Sequence, residues 1–149
     1  GPKRRMTDVA RMTPVPPAYL DAVWRDILPF VTAAVATSAG AFTASSVYKD
    51  AKSGFHTVWI IVSDDVIQLM LTTRIVQYPE KRALIVDWVG GGDLRNVLET
   101  GLDTLKDYAR DNSCTEIEGS GRKGWEKWLA PHGWTHQHVA YKLEIDDEK

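Results

Sequence analysis

The run Ala83-Leu84-Ile85-Val86-Asp87-Trp88-Val89-Gly90-Gly91-Gly92-Asp93-Leu94-Arg95, continuing to Arg110, decides the fold. Ala83–Val89 is rich in Ile, Val and Trp and reads as a strand. Consecutive glycines then lead into a helix whose Leu94, Val97, Leu98, Gly101, Leu102, Leu105, Tyr108 and Ala109 recur at i, i+3, i+4, i+7. A strand that feeds a helix through glycines can point backbone N–H groups at a ligand with no Cβ in the way. The positive end of the helix dipole favours an anion there. The stretch is therefore a candidate phosphate or pyrophosphate seat; the alternative is a turn that only lets helix and sheet pack closely. Gly101 in mid-helix costs about 1 kcal/mol against Ala, which predicts a close approach to the sheet.

On the N-terminal side the period changes twice. Residues 6–17 are polar, carry Pro14, Pro16 and Pro17, and read as an extended lead-in. Gly1-Pro2 has the look of a protease remnant, so the first five residues are set aside and residues 15–149 are expected to form one domain. Tyr19, Val23, Ile27, Phe30, Val31 and Val35 predict a helix from Ala18 to about Ser38, kinked or divided at Pro29 and ended by Gly40. Thr43 is the expected N-cap of a short helix Ala44–Ala51, closed by Gly54. His56–Ser63 and Val66–Tyr78 then read as strands joined at Asp64-Asp65. With Pro79–Arg82 as a turn into Ala83–Val89, they predict an antiparallel meander.

On the C-terminal side, Cys114–Glu118 alternates as a short strand. One crossover helix from Ala83–Val89 makes the two strands parallel. A helical Gly124–Leu129, the turn Pro131-His132-Gly133 and a last strand Thr135–Ile145 complete the order α-α-β-β-β-α-β-α-β. The fold class is α/β (α+β): a mixed sheet with helices on both faces.

The chain has 149 residues, 44% hydrophobic and 26% charged, within the ordinary globular range. A net charge of −2 offers no global electrostatic case for nucleic acid or an anionic membrane surface. No apolar run approaches the ~20 residues that span a bilayer, and the N-terminus lacks a signal-peptide core. The lone Cys114 excludes an intramolecular disulfide, fits a reducing, cytoplasmic setting, and reads as a buried inert thiol.

The element order, together with Asp87-Trp88-Val89-Gly90-Gly91-Gly92, resembles the GNAT (N-acetyltransferase) superfamily. That family's loop reads Gln or Arg, two residues, Gly, any residue, Gly or Ala; Gly90 and Gly92 fall on the small positions and Asp87 on the first. Trp125–Trp134 is similar to the family's late helix ending in a Gly-aromatic pair. Gly121-Arg122-Lys123-Gly124-Trp125 resembles small GNAT-like proteins of tailed bacteriophages. The resemblance implies acetyl-CoA as acyl donor and a small-molecule or protein amine as acceptor. The pyrophosphate would be lined by Val89, Gly90, Gly91, Gly92, Asp93, Leu94 and Arg95, with Asp87 and Trp88 flanking the thioester and Arg122 or Lys123 offsetting the carboxylates. An oxyanion-type backbone donor is expected at a strand bulge near Trp88. Where family members often carry a Tyr acid, this chain has Trp128 and Leu129.

Candidate acid-base groups from the residues themselves are Glu116 and Glu118, which share one face of their strand, and His132. His136 and His138 point to one strand face near His132, but no partner with ligand spacing joins them, so no metal is assigned. The expected activity is acyl-CoA-dependent N-acyl transfer. The alternative is a non-catalytic GNAT-like phage protein, structural or host-interacting, supported by the missing Tyr and the many tryptophans. Homo-oligomer formation is left open.

Overall fold

The computed structural model describes residues 9–92, 95, 97–121 and 126–145. Its first element corrects the sequence reading. Arg11–Val15, expected as a lead-in, is strand β1, antiparallel to β2 (Thr57–Ser63) and burying Met12 and Val15. Two prolines nearby masked the alternation. Pro14 is tolerated because β1 is an edge strand.

Helix α1 spans Leu20–Val35 after a single 3₁₀ turn at Pro17–Tyr19, and Leu20, Ile27, Val31, Ala34 and Val35 form its buried stripe. Pro29 does not divide it; it sits on the exposed side, where water can serve the carbonyl that loses its donor. Tyr19 lies before the helix and is exposed rather than on its apolar face. Helix α2, Ala44–Lys52, starts at a reciprocal capping box: the Thr43 hydroxyl accepts the Ser46 N–H and the Ser46 hydroxyl accepts the Thr43 N–H. Asp21 ties the two helices together, accepting from the Tyr48 hydroxyl at 2.6 Å and from Lys52 at 2.9 Å.

Strands β2, β3 (Val66–Gln77) and β4 (Arg82–Gly91) form the expected antiparallel meander, and β5 (Glu116–Gly119) lies parallel to β4. The sheet order is β1-β2-β3-β4-β5. Between β4 and β5 the chain makes a π-type turn, Val97–Gly101, and then helix α3, Leu102–Asp111. Val97, Leu98, Gly101, Leu102, Leu105 and Ala109 are buried, as the stripe predicts. Gly101 meets the Met12 side chain of β1, with sulfur 2.8 Å from where its Cβ would lie, and not a strand backbone. Cys114 is buried just before β5.

The sheet carries apolar clusters on both faces. Met12, Trp59, Ile61, Leu69, Leu71 and Leu84 pack with α3, while Val58, Ile60 and Met70 pack with α1 and α2. After β5 come α4, Glu126–Leu129, and a 3₁₀ turn at Ala130–His132. The expected strand Thr135–Ile145 is not formed: residues 134–145 carry no regular structure, because the segment takes no place in the sheet.

Candidate active site

β4 and β5 pair from Ala83/Glu116 to Val86/Gly119 and no further, while β4 runs on to Gly91. At the parting point β4 carries a bulge. Thr72 of β3 faces Trp88 and Thr73 faces Val86, so Asp87 has no register partner. The extra residue reverses the alternation: Leu84 and Val86 lie on the α3 side before it and Val89 after it, with Trp88 turned toward α1. The result is a cleft of about 900 Å³. Val89, Gly90, Val97, Leu98 and Leu102 line it toward the helix, and Phe42, Asp50, Phe55, His56 and Arg74 toward the other end.

Asp87 is the centre of a polar cluster at that second end. Its Oδ2 lies 2.5 Å from His56 Nε2 and accepts from Arg74 Nε at 2.7 Å. Burial pushes the Asp87 carboxyl up, but the hydrogen bonds from His56 and Arg74 and the guanidinium charge outweigh it, holding the group below the ordinary carboxylate value. Asp87 is thus an acceptor, and His56 Nε2 carries the proton. Nδ1, at the other side of the ring, has no hydrogen-bond partner, on a side chain only 4% exposed. The nearest carboxylate to Nδ1 is Asp50 Oδ2 at 3.6 Å. Phe55 stands edge-on to His56, and Phe42 edge-on to Trp88.

None of His56, Arg74 and Asp50 was singled out from the sequence. The available signal was Arg74 and Asp87 each interrupting an otherwise apolar strand, where an unpaired charge is costly.

The sequence-derived candidates are placed very differently. Gly90 is paired with Met70 inside the sheet, and a Cβ there would overlap the Phe30 carbonyl oxygen. Its smallness therefore serves packing against α1. Gly91 ends β4 at φ +105°, a conformation that needs glycine. The Gly92 N–H is donated to the Gln68 carbonyl at 3.0 Å and is not free for an anion. Asp93, Leu94 and Arg122 lie outside the described residues, while the Arg95 guanidinium stacks 4.8 Å from the Trp128 ring.

The bulge near Trp88 exists, but the Trp88 N–H is already given to Thr72 Oγ1 at 3.2 Å. Glu116 and Glu118 do not reach the cleft. Glu116 pairs with Lys81 at 2.5 Å, and Glu118 accepts from the Tyr78 hydroxyl and from Gln137. They sit on the strand segment before the parting point, which turns both toward neighbours of β5. His132 is exposed in its turn and also stands apart from the cleft lining. Among the described residues no three His, Cys, Asp or Glu side chains are grouped to hold a metal, and no helix is long and apolar enough to cross a membrane.

No protein-family model and no curated protein matches the sequence. Solved structures do. A ribosomal-protein-alanine N-acetyltransferase from Brucella melitensis biovar Abortus 2308 is similar with a TM-score of 0.69 at 11% identity, over 93% of this chain and 100% of that one. An aminoglycoside acetyltransferase from an uncultured soil metagenomic sample, in complex with sisomicin, gives 0.68 at 11% identity over 95% and 100%. A probable acetyltransferase gives 0.67 at 15% identity over 93% and 99%. At such identities the likeness is one of fold: the chain has the GNAT fold.

Proposed function

We propose that this protein transfers an acyl group from acyl-CoA, with acetyl-CoA as the first donor to test, to an amine acceptor. One observation carries the reading: parallel strands that part at a bulge whose residue, Asp87, orients a buried histidine whose Nδ1 has no hydrogen-bond partner. Beyond Val86 the β5-facing edge of β4 has no strand partner among the described residues, so its backbone can pair with the amides of the pantetheine arm. The apolar wall of Val97, Leu98 and Leu102 suits the arm's methylenes. The pyrophosphate would lie beyond Gly91, where the sequence runs on through Asp93, Leu94 and Arg95, with Arg122 as a further residue the sequence offers for it.

The acceptor enters at the Asp50, Phe55 and His56 end. Its nitrogen attacks the thioester carbonyl as His56 Nδ1 takes the amine proton, the C–S bond breaks, and the thiolate recovers a proton from the same ring. While protonated, His56 has a carboxylate at each nitrogen. Two of the similar structures belong to proteins whose names state amine-bearing acceptors, a ribosomal-protein alanine and an aminoglycoside, which supports both a protein and a small-molecule amine as classes to test.

The test is thermal unfolding with acetyl-CoA followed by thiol release with a panel of amines. A ligand at 100 times its Kd adds about 2.7 kcal/mol of stability. Stabilisation together with amine-dependent thiol release is expected. If acetyl-CoA neither stabilises the protein nor loses its acyl group, the acyltransferase reading falls and the non-catalytic GNAT-fold reading takes its place.

A further inference from the structure

Two charged side chains at the acceptor end of the cleft have binding capacity that the protein leaves unused. Arg74 donates from Nε to Asp87, and among the described residues that is its only hydrogen bond. Its two terminal nitrogens keep their donors for another partner, and the side chain lines the cleft. Asp50 lines the cleft as well. Among the described residues its carboxylate meets only His56 Nδ1, at 3.6 Å, too long for a hydrogen bond.

The two stand at the ends of one row of contacts. Asp50 Oδ2 lies 3.6 Å from His56 Nδ1, His56 Nε2 lies 2.5 Å from Asp87 Oδ2, and the same Oδ2 lies 2.7 Å from Arg74 Nε. Asp87, in the middle, is satisfied by His56 and Arg74. The row therefore offers a ligand one carboxylate at one end and one guanidinium at the other. A guanidinium serves two carboxylates through separate edges, so Arg74 can hold Asp87 through Nε and a second carboxylate through its terminal nitrogens. Among the described residues lining the cleft Arg74 is the one Arg or Lys, set against Asp50 and Asp87. That balance suits a singly charged carboxylate better than a dianionic phosphate. Beside the row, Phe42 and Phe55 are 41% and 59% exposed and give the same end of the cleft an uncovered apolar surface.

Building on the acyl-transfer reading, we infer that the acceptor is a free amino acid with a large apolar side chain. Asp50 and His56 receive its amine, Arg74 its carboxylate, and Phe42 and Phe55 its side chain. An amine without a neighbouring carboxylate would leave the terminal nitrogens of Arg74 to water. The ammonium first gives one proton to water. The N–C bond then forms as the C–S bond breaks, and the second proton passes through His56 Nδ1 to the thiolate.

The test sets phenylalanine against phenethylamine, which has the same ring and amine without the carboxylate. Thiol release from acetyl-CoA is followed in wild type and in Arg74→Gln. Wild type is expected to favour phenylalanine in kcat/KM, and Arg74→Gln to lower that ratio at least about tenfold. Disturbance of Asp87 lowers both acceptors alike, so the ratio isolates the carboxylate contact. Arg74→Lys, which keeps a cation for Asp87 without the planar fork, should lower the ratio too and serves where the Gln variant does not fold. Equal use of the two acceptors by wild type, or a preference unchanged by the substitution, overturns the inference and leaves acyl transfer standing. Where no thiol is released, the acyl-transfer reading falls, and thermal unfolding with phenylalanine and CoA decides the site by itself. Stabilisation of wild type but not of the Arg74 variant keeps the amino-acid site; no stabilisation overturns it.

Discussion

His56 Nε2 and Asp87 Oδ2 stand 2.5 Å apart, joining the first residue before β2 to the bulge residue of β4. In the neutral ring that pairing leaves Nδ1 as the accepting atom, and the proposed chemistry depends on it. His56→Gln should lower kcat by about 10²–10⁴-fold, the usual contribution of a positioned general base, while acetyl-CoA still raises the melting temperature. Asp87→Asn should also lower kcat, and its pH–rate profile should shift where that of a merely destabilised protein would not. Steady-state thiol release across pH checks both; an unchanged kcat in His56→Gln would remove the residue from the mechanism.

The same Asp87 makes stability depend on acid. Its carboxyl is held below the ordinary value in the folded protein, so the unfolded chain binds the proton more readily. The stability it contributes is complete above the ordinary carboxylate pKa of about 4 and is lost as pH falls through the lower folded value. Denaturant unfolding between pH 7 and pH 2 should show that loss. Asp87→Asn, less stable at neutral pH, should show a shallower acid slope.

Gly90 and Gly101 look alike in sequence and should respond in opposite ways. A methyl group on Gly90 meets the backbone of Phe30 in α1, which cannot move without shifting the helix. Gly90→Ala should cost about 1–3 kcal/mol or more through overpacking. A methyl group on Gly101 meets only the flexible end of Met12. There the helix propensity gain of about 1 kcal/mol offsets the crowding, so Gly101→Ala should be nearly neutral. Urea unfolding of the two variants side by side decides it.

Gly119 tests the cleft itself. It stands where β4 and β5 part, and a Cβ there would meet Val86 at ordinary contact distances, 3.6 Å and 3.8 Å. Gly119→Leu should therefore fold, losing less than about 1 kcal/mol, yet fill the space proposed for the acyl arm. Loss of stabilisation by acetyl-CoA with a nearly unchanged melting temperature is expected. Retained binding would place the donor elsewhere.

The meander, the buried stripe of α3 and the parallel placement of β5 were legible in the sequence, because each follows from periodicity, turn residues and the handedness of a single crossover. β1 was not, since Pro14 and Pro16 hide a two-residue apolar alternation that acquires meaning only against β2. Residues 135–145 carry a strand's alternation, but pairing is a property of two strands, and among the described residues β5 pairs only with β4.

The glycine stretch shows where local reading ends. Its sequence established that a strand must turn into a helix without side chains in the way. Only the tertiary structure decided that Gly90 makes room for Phe30, that Gly92 gives its N–H to Gln68, and that the bulge falls at Asp87. The active-site candidates follow the same rule. Asp87 was visible as a charge within an apolar strand, but its partners His56 and Arg74 lie 31 and 13 residues away. Sequence pattern records which face of its own strand a residue occupies; register, bulge and twist determine which distant residue it meets there, and those are set by packing the whole sheet at once.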